Sequence, residues 1–161
     1  MELLQGEKER IARQYQKKMR KLDEALEKTS EIISKTTHYT AIVSLSELKD
    51  KVFYRGVSRI LEQPEFRNLE NVRLLLEIME DRGRLMNIIN RQLNNKVQVY
   101  IGSELGCPEM SSYSLVVSSY KFKNEPLGRL AVLGPIRMEY NHAIPALQYI
   151  SGVLSDALDD F

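Results

Sequence analysis

Apolar and polar residues alternate in three runs of the C-terminal half of the chain. The runs lie at residues 97–101, 114–120 and 129–134, and a two-residue period is typical of strands that bury one face. Residues 124–128 have the composition of a turn, so the second and third runs are predicted to form an antiparallel hairpin. Pro135 has no backbone N–H to pair and is predicted to end the third strand.

A long helical pattern occupies the N-terminal end. No proline or further glycine lies between Gly6 and Ser34. Apolar residues recur at steps of three and four, with one threonine completing the series: Ala12, Tyr15, Met19, Leu22, Leu26, Thr29 and Ile33. This spacing predicts a helix of about 40 Å with an apolar seam. Such a helix either joins an upstream module to the domain or forms a dimer seam.

A further strand is predicted at residues 39–45, where β-branched residues alternate with polar ones. Ala41, Val43 and Leu45 are its predicted core face. Residues 52–54 fit either a short strand or the entry to a helix.

The middle of the chain reads as three helices. The first covers residues 56–61 and stops before Pro64. The second covers 69–80 with Asn68 as its N-cap, and the third covers 84–93 after a break at Gly83. Together they present a broad apolar surface, which suits either packing against the sheet or a dimer contact.

The last helix is predicted to begin at residues 140–144, because Pro145 is tolerated only in a first helical turn. Its last turn, with three aspartates, is expected to fray. The order of elements predicts an α+β fold: a long N-terminal helix, then a partial antiparallel sheet covered by helices. An incomplete sheet would leave an open edge that favours dimerisation or aggregation.

Composition narrows the function classes. Of 161 residues, 43% are hydrophobic and 28% charged, so a folded core is expected, and the net charge of +1 argues against electrostatic nucleic-acid binding. The basic cluster at residues 17–21 lies beside acidic residues and favours a solvated helix face. One cysteine, no apolar run of membrane length and no signal peptide together favour a cytoplasmic protein.

The sequence contains no catalytic or metal-binding motif that we recognise. His38 and His142 lack neighbouring ligands, and Cys107 lies in a loop without a nameable base. We therefore expect no enzyme activity, no catalytic or cofactor-binding residues and no metal.

One polar cluster follows the third strand directly. Its residues are Gly134, Pro135, Arg137, Met138 and Tyr140. Arg137 could bind a ligand carboxylate or phosphate through its planar fork of donors. Alternatively the cluster is a structural corner, in which Arg137 holds a loop, Met138 plugs the core and Tyr140 caps the sheet edge.

Three blocks of the chain resemble the heat-inducible transcription repressor family, HrcA. The most specific are the run Gly-Pro-Ile-Arg-Met-Glu-Tyr at 134–140 and the run Gln-Pro-Glu-Phe at 63–66. The resemblance extends over residues 22–44, 52–93 and 97–161.

The resemblance implies a GAF-like domain with an inserted dimerisation region, downstream of a winged helix-turn-helix. It implies a homodimer that represses class I heat-shock (chaperone) operons at an inverted-repeat operator, with the chaperonin as a further partner. The winged helix and the middle of the family sequence are expected to be absent here, so no DNA-binding residue is assigned. We expect a linker helix at 1–36, then a partial GAF-like domain at 37–161 with a helical remnant of the insert at 47–96. A GAF-like sensor of an unknown small molecule is the alternative.

Overall fold

The computed structural model describes residues 2–46, 48–64, 67–91 and 97–161. Its helices and strands follow in chain order: α1 Gln5–Thr37, β1 Thr40–Leu45, β2 Leu48–Arg55, α2 Leu69–Glu80, α3 Arg82–Ile89, β3 Gln98–Ile101, β4 Tyr113–Phe122, β5 Glu125–Pro135 and α4 Tyr140–Asp159. Short 3-10 turns lie at Val57–Glu62, Gly102–Leu105 and Pro108–Met110. None of the helices in this part of the chain combines the length and apolar character that a membrane span needs.

The described strands form one antiparallel sheet in the order β2-β1-β5-β4-β3. Helices α1 and α4 cover one face, whereas α2, α3 and the 3-10 turns cover the other. The sheet therefore separates two apolar cores. The predicted α+β class, with its long first helix and helix-covered antiparallel sheet, is confirmed.

Both faces of β1 are buried, which extends the prediction of one core face. Ala41, Val43 and Leu45 pack towards α1 and α4, and Ile42 packs with the residues beneath α2 and α3. The strand is paired on both edges, by β2 and β5, and both sides of the sheet are covered here, so neither face reaches water. Residues 52–54 belong to β2, so the expectation of a helical segment over 47–96 is corrected at residues 48–55.

The helical segment differs from the prediction at its breaks. Asn68 caps α2 as predicted, because its side chain accepts a hydrogen bond from Glu70 N at 2.9 Å. The break before α3 lies at Asp81, whose carboxylate accepts from Arg84 N, and Gly83 lies inside the helix. A capping side chain rather than a flexible glycine separates the two helices. Residues 92 and 93, the end of the predicted third helix, lie outside the described residues.

The hairpin of β4 and β5 is confirmed, but its turn is shorter than predicted. Lys123 and Asn124 have φ of 50° and 68°, as in a two-residue turn whose twist matches the strands. Residues 125–128 belong to β5, which ends at Pro135 as predicted. Helix α4 begins at Tyr140, so Pro145 lies in its second turn.

Helix α1 is buried along only half of its length. Leu26, Thr29 and Ile33 are buried against the sheet and α4, whereas every residue from 8 to 21 is exposed. Lys51 anchors the boundary, because its Nζ lies 2.8 Å from Asp23 Oδ2. At about 1.5 Å per residue, roughly 25 Å of helix extends beyond the domain.

Candidate functional site

The predicted polar corner is held together by its own packing. Ser114 Oγ donates to Pro135 O at 2.8 Å, and Glu139 N donates to Tyr39 Oη at 3.0 Å. A Cβ at Gly134 would lie 2.9 Å from both Met138 Cε and Tyr39 Cδ1. The side chain at this position must therefore be absent for the methionine and the tyrosine ring to cover the strand end.

The five predicted residues lie close together but play different parts. Met138 is 3% exposed and belongs to the core under α1 and α4. Tyr140 Oη donates to Ile136 O, and Arg137 Nη2 donates to Gln63 Oε1 at 3.0 Å. The first contact lies within the corner, and the second joins the corner to the end of the 3-10 turn Val57–Glu62.

The surface around this corner is open. One depression is lined by Ser111, Ser112, Ile136 and Arg137, and a second by residues 138–142. Neither is a closed pocket, so a ligand here would remain in contact with solvent.

Cys107 is buried, and its side chain is hydrogen-bonded. Its Sγ donates to Glu109 Oε2 at 2.9 Å, and Arg84 Nη2 donates to the sulfur at 3.1 Å. Burial and the Glu109 carboxylate raise the pKa of the thiol, which disfavours the thiolate that a nucleophile requires. Within the described ranges no group of three or more His, Cys, Asp or Glu residues could hold a metal ion.

Sequence reasoning missed a second polar group, which lies under the sheet. Arg129 on β5 is 1% exposed, in register with Ser44 on β1 and Ser119 on β4. It shares its face with Ala131 and Leu133, whose side chains lie in the core beneath α2 and α3. Burial lowers the pKa of its guanidinium.

The end of α3 and the end of β1 complete this group. Asn90 Nδ2 donates to Ser46 O at 3.3 Å. We call Ser44, Ser46, Asn90 and Arg129 the buried polar cluster. A sequence signal existed: Arg129 occupies an inward position of a strand that is otherwise apolar there, opposite a serine in β1.

Comparison with known proteins identifies related sequences and solved structures of similar fold. A family model described as the HrcA protein C terminal domain matches residues 45–144. The chain is 45% identical over 112 residues to the heat-inducible transcription repressor HrcA of Roseiflexus castenholzii, covering 69% of this chain and 31% of that protein. It is 36% identical over 115 residues to the protein of the same name from Brevibacillus brevis, covering 71% and 33%. The chain spans about a third of the length of these relatives.

Solved structures share the fold at low identity. A hypothetical protein superposes with a TM-score of 0.60 at 21% identity, over 71% of this chain and 34% of that one. An IclR homolog from Microbacterium sp. strain HM58-2 gives a TM-score of 0.52 at 11% identity, over 91% and 72%. These similarities concern the arrangement of sheet and helices.

Proposed function

The chain belongs to the HrcA family, and from this premise we propose that it is the regulatory part of a heat-inducible transcription repressor and works as a homodimer. The family match over residues 45–144 is the observation that carries the proposal. In this account residues 1–36 are the linker helix and residues 37–161 the GAF-like domain, in which residues 56–96 are the remnant of the dimerisation insert. The repressed genes would be class I heat-shock operons in the cytoplasm, with the chaperonin as a further partner.

Operator DNA would be read by the winged helix-turn-helix of the family rather than by this chain. The basic residues of α1 share the helix with acidic ones, and the net charge is +1. Specific DNA binding requires a concentrated basic surface and side chains that reach base edges. In a gel-shift assay at low salt we expect the chain to show no sequence-specific retention of an inverted-repeat operator. Tight, sequence-specific retention would contradict the proposal that operator DNA is bound by the winged helix-turn-helix and not by this chain.

The exposed half of α1 is the proposed pairing surface. Tyr15 and Met19 are 71% and 40% exposed, on the same seam as the buried Leu26 and Ile33. The steps of three and four continue unbroken from the exposed part into the buried part. Packing of an apolar face supplies most of the stability of helices in proteins, so a partner along the exposed seam would stabilise this half of α1.

A second copy of this chain fits the seam in a parallel arrangement. In a parallel pair the exposed Tyr15 and Met19 of one copy would lie beside the same residues of the other copy. A parallel pair also holds two upstream DNA-reading modules on the same side, as a two-fold operator demands.

Sedimentation equilibrium tests the pairing. Replacing both Tyr15 and Met19 by Gln should weaken self-association at least tenfold, because each change removes apolar contact in both copies. The matched control replaces Lys17 and Lys21, which lie off the seam, by Gln and should leave association unchanged. A parent chain that remains monomeric at high concentration, or equal effects of the two double variants, would contradict the proposal.

We further propose that the chain has no enzymatic activity. The side chain of Cys107 is hydrogen-bonded and the pKa of its thiol is raised, which argues against its use as a catalytic nucleophile. A GAF-like sensor function, the alternative for this fold, would require a binding site for a small molecule.

A further inference from the structure

The buried polar cluster differs from the rest of the polar interior in one respect. Buried serines and threonines elsewhere in the described residues are hydrogen-bonded, for example Ser114 to Pro135 O and Ser118 with Ser151 Oγ, each at 2.8 Å. Ser44 is fully buried, and among the described residues its Oγ has no hydrogen-bond partner. A buried hydroxyl without a partner costs about 1–3 kcal/mol, so it needs an explanation.

Three of the buried polar atoms without a partner are grouped in space, whereas Asp23 Oδ1 lies apart from them on α1. Ser46 Oγ and Asn90 Oδ1 share this property with Ser44 Oγ. Ser46 lies two residues after Ser44, and Asn90 contacts Ser46 directly. Such a concentration at one place is unlike the scattered exceptions of a folded core.

The same place carries a buried positive charge. Arg129 is the direct cross-strand neighbour of Ser44. Its guanidinium is a planar donor that suits carboxylate and phosphate oxygens, and the serine hydroxyls can rotate to donate beside it. Ser46 and Asn90 are half-buried whereas Ser44 and Arg129 are fully buried, so the cluster runs from near the surface inwards.

We propose that the buried polar cluster binds a small oxyanion, the carboxylate or phosphate group of a small molecule. Arg129 supplies charge, Ser44 and Ser46 supply hydroxyl donors, and the Asn90 carbonyl oxygen accepts from a ligand hydroxyl or amine. The site lies beneath α3, on the opposite face of the sheet from α1. It is distinct from the open corner around Arg137, and it does not depend on pairing through α1.

Isothermal titration calorimetry of the 161-residue chain tests this proposal. The probes are inorganic phosphate and acetate, each added at ionic strength held constant with sodium chloride. We expect saturable binding of at least one of them, and the two titrations separate a phosphate site from a carboxylate site. Ser44→Ala should weaken that binding about tenfold, the effect of losing a hydrogen bond to a charged group.

Ser118→Ala is the matched control. Ser118 is also a buried serine of the sheet, but it lies on the opposite face and is bonded to Ser151. Removal of the Ser118 hydroxyl should leave the affinity for the anion unchanged. Without anion, Ser44→Ala should unfold at a midpoint no lower than that of the parent, since no protein hydrogen bond is lost and an unpaired buried hydroxyl is removed. This separates weakened binding from misfolding.

Two results would overturn the proposal. One is that neither anion binds the parent chain, so that solvent alone satisfies the cluster. The other is that Ser44→Ala and Ser118→Ala weaken binding equally. A monomeric chain that binds phosphate would still support the site, whereas a dimer that binds neither anion would refute it and leave the pairing proposal intact.

Discussion

Single side chains fix the closest approach between β1, β4 and β5. Tyr120 Oη donates to Ser44 O at 2.7 Å in the core under α1 and α4. The ring passes over Gly128, where a Cβ would lie 1.9 Å from that carbonyl oxygen and 2.6 Å from Tyr120 Cζ. The glycine and the tyrosine therefore form one unit, in which the missing side chain makes room for the ring.

For single residues, the sequence shows the alternation of apolar and polar side chains along a strand, but it does not show which tertiary contacts each side chain makes. The pattern of residues 129–134 predicts the strand and places Arg129 on the same face as Ala131 and Leu133, yet it does not reveal that both faces of the strand are buried. Burial of Arg129 depends on the neighbouring strands β1 and β4 and on the elements that cover this face of the sheet, most of which are distant in sequence. The corner at Gly134–Tyr140 is visible in the sequence because its residues are contiguous.

Substitutions at the Tyr120–Gly128 unit test its role in stability. Tyr120→Phe removes the hydroxyl and should lower the free energy of unfolding by about 1–2 kcal/mol. Gly128→Ala forces backbone movement against Ser44 and should cost more, about 3 kcal/mol. Urea denaturation followed by circular dichroism measures both. Tyr149→Phe, at an exposed tyrosine of α4, should change stability by less than about 0.5 kcal/mol, and an equal effect there would contradict this account.

Elements that carry strong local signals are predicted well. The α1 periodicity, the Asn68 cap and the alternating hairpin all lie in contiguous residues, and all are present in the structure. The ends of the elements are predicted less well. Glycine and turn composition suggest where a break lies, but a capping side chain and the backbone conformation decide its position in the structure. Asp81 separates α2 from α3 through its side chain, and the hairpin turn consists of Lys123 and Asn124 in left-handed conformations.

The two histidines provide a test of how α1 ends. His38 has φ of 63° just after the helix, and its N–H donates to Ser34 O at 2.9 Å. Glycine adopts this conformation without strain, so His38→Gly should stabilise the protein by about 0.5–1 kcal/mol. His142, also exposed, lies in the first turn of α4, where the same substitution should destabilise by a similar amount. Thermal unfolding of both variants measures the difference, and effects of the same sign would refute the assignment.

The whole molecule consists of two cores separated by one sheet. The core under α1 and α4 includes the Gly134–Tyr140 corner, whereas the core under α2 and α3 ends in the buried polar cluster. Each core holds a buried tyrosine that donates to a backbone carbonyl, Tyr120 to Ser44 and Tyr113 to Asn71. Loss of either proton would therefore place a negative charge inside a core.

The stability of both cores should fall at alkaline pH. Burial raises the pKa of Tyr113 to about 12 and also raises the pKa of Tyr120, whereas tyrosines of the unfolded chain ionise near pH ~10. Because the folded pKa is the higher one, this contribution is fully present below about pH 10 and is lost as the pH rises towards 12. Each of the two tyrosines should contribute a slope of about 1.4 kcal/mol per pH unit in that window.

Urea titrations at a series of pH values measure this slope of the free energy of unfolding against pH. Tyr120→Phe should reduce the slope by one such contribution, and Tyr149→Phe should not. A parent and a Tyr120→Phe variant whose stabilities differ by a constant amount from pH 9 to pH 12 would show that the buried hydroxyl does not resist ionisation.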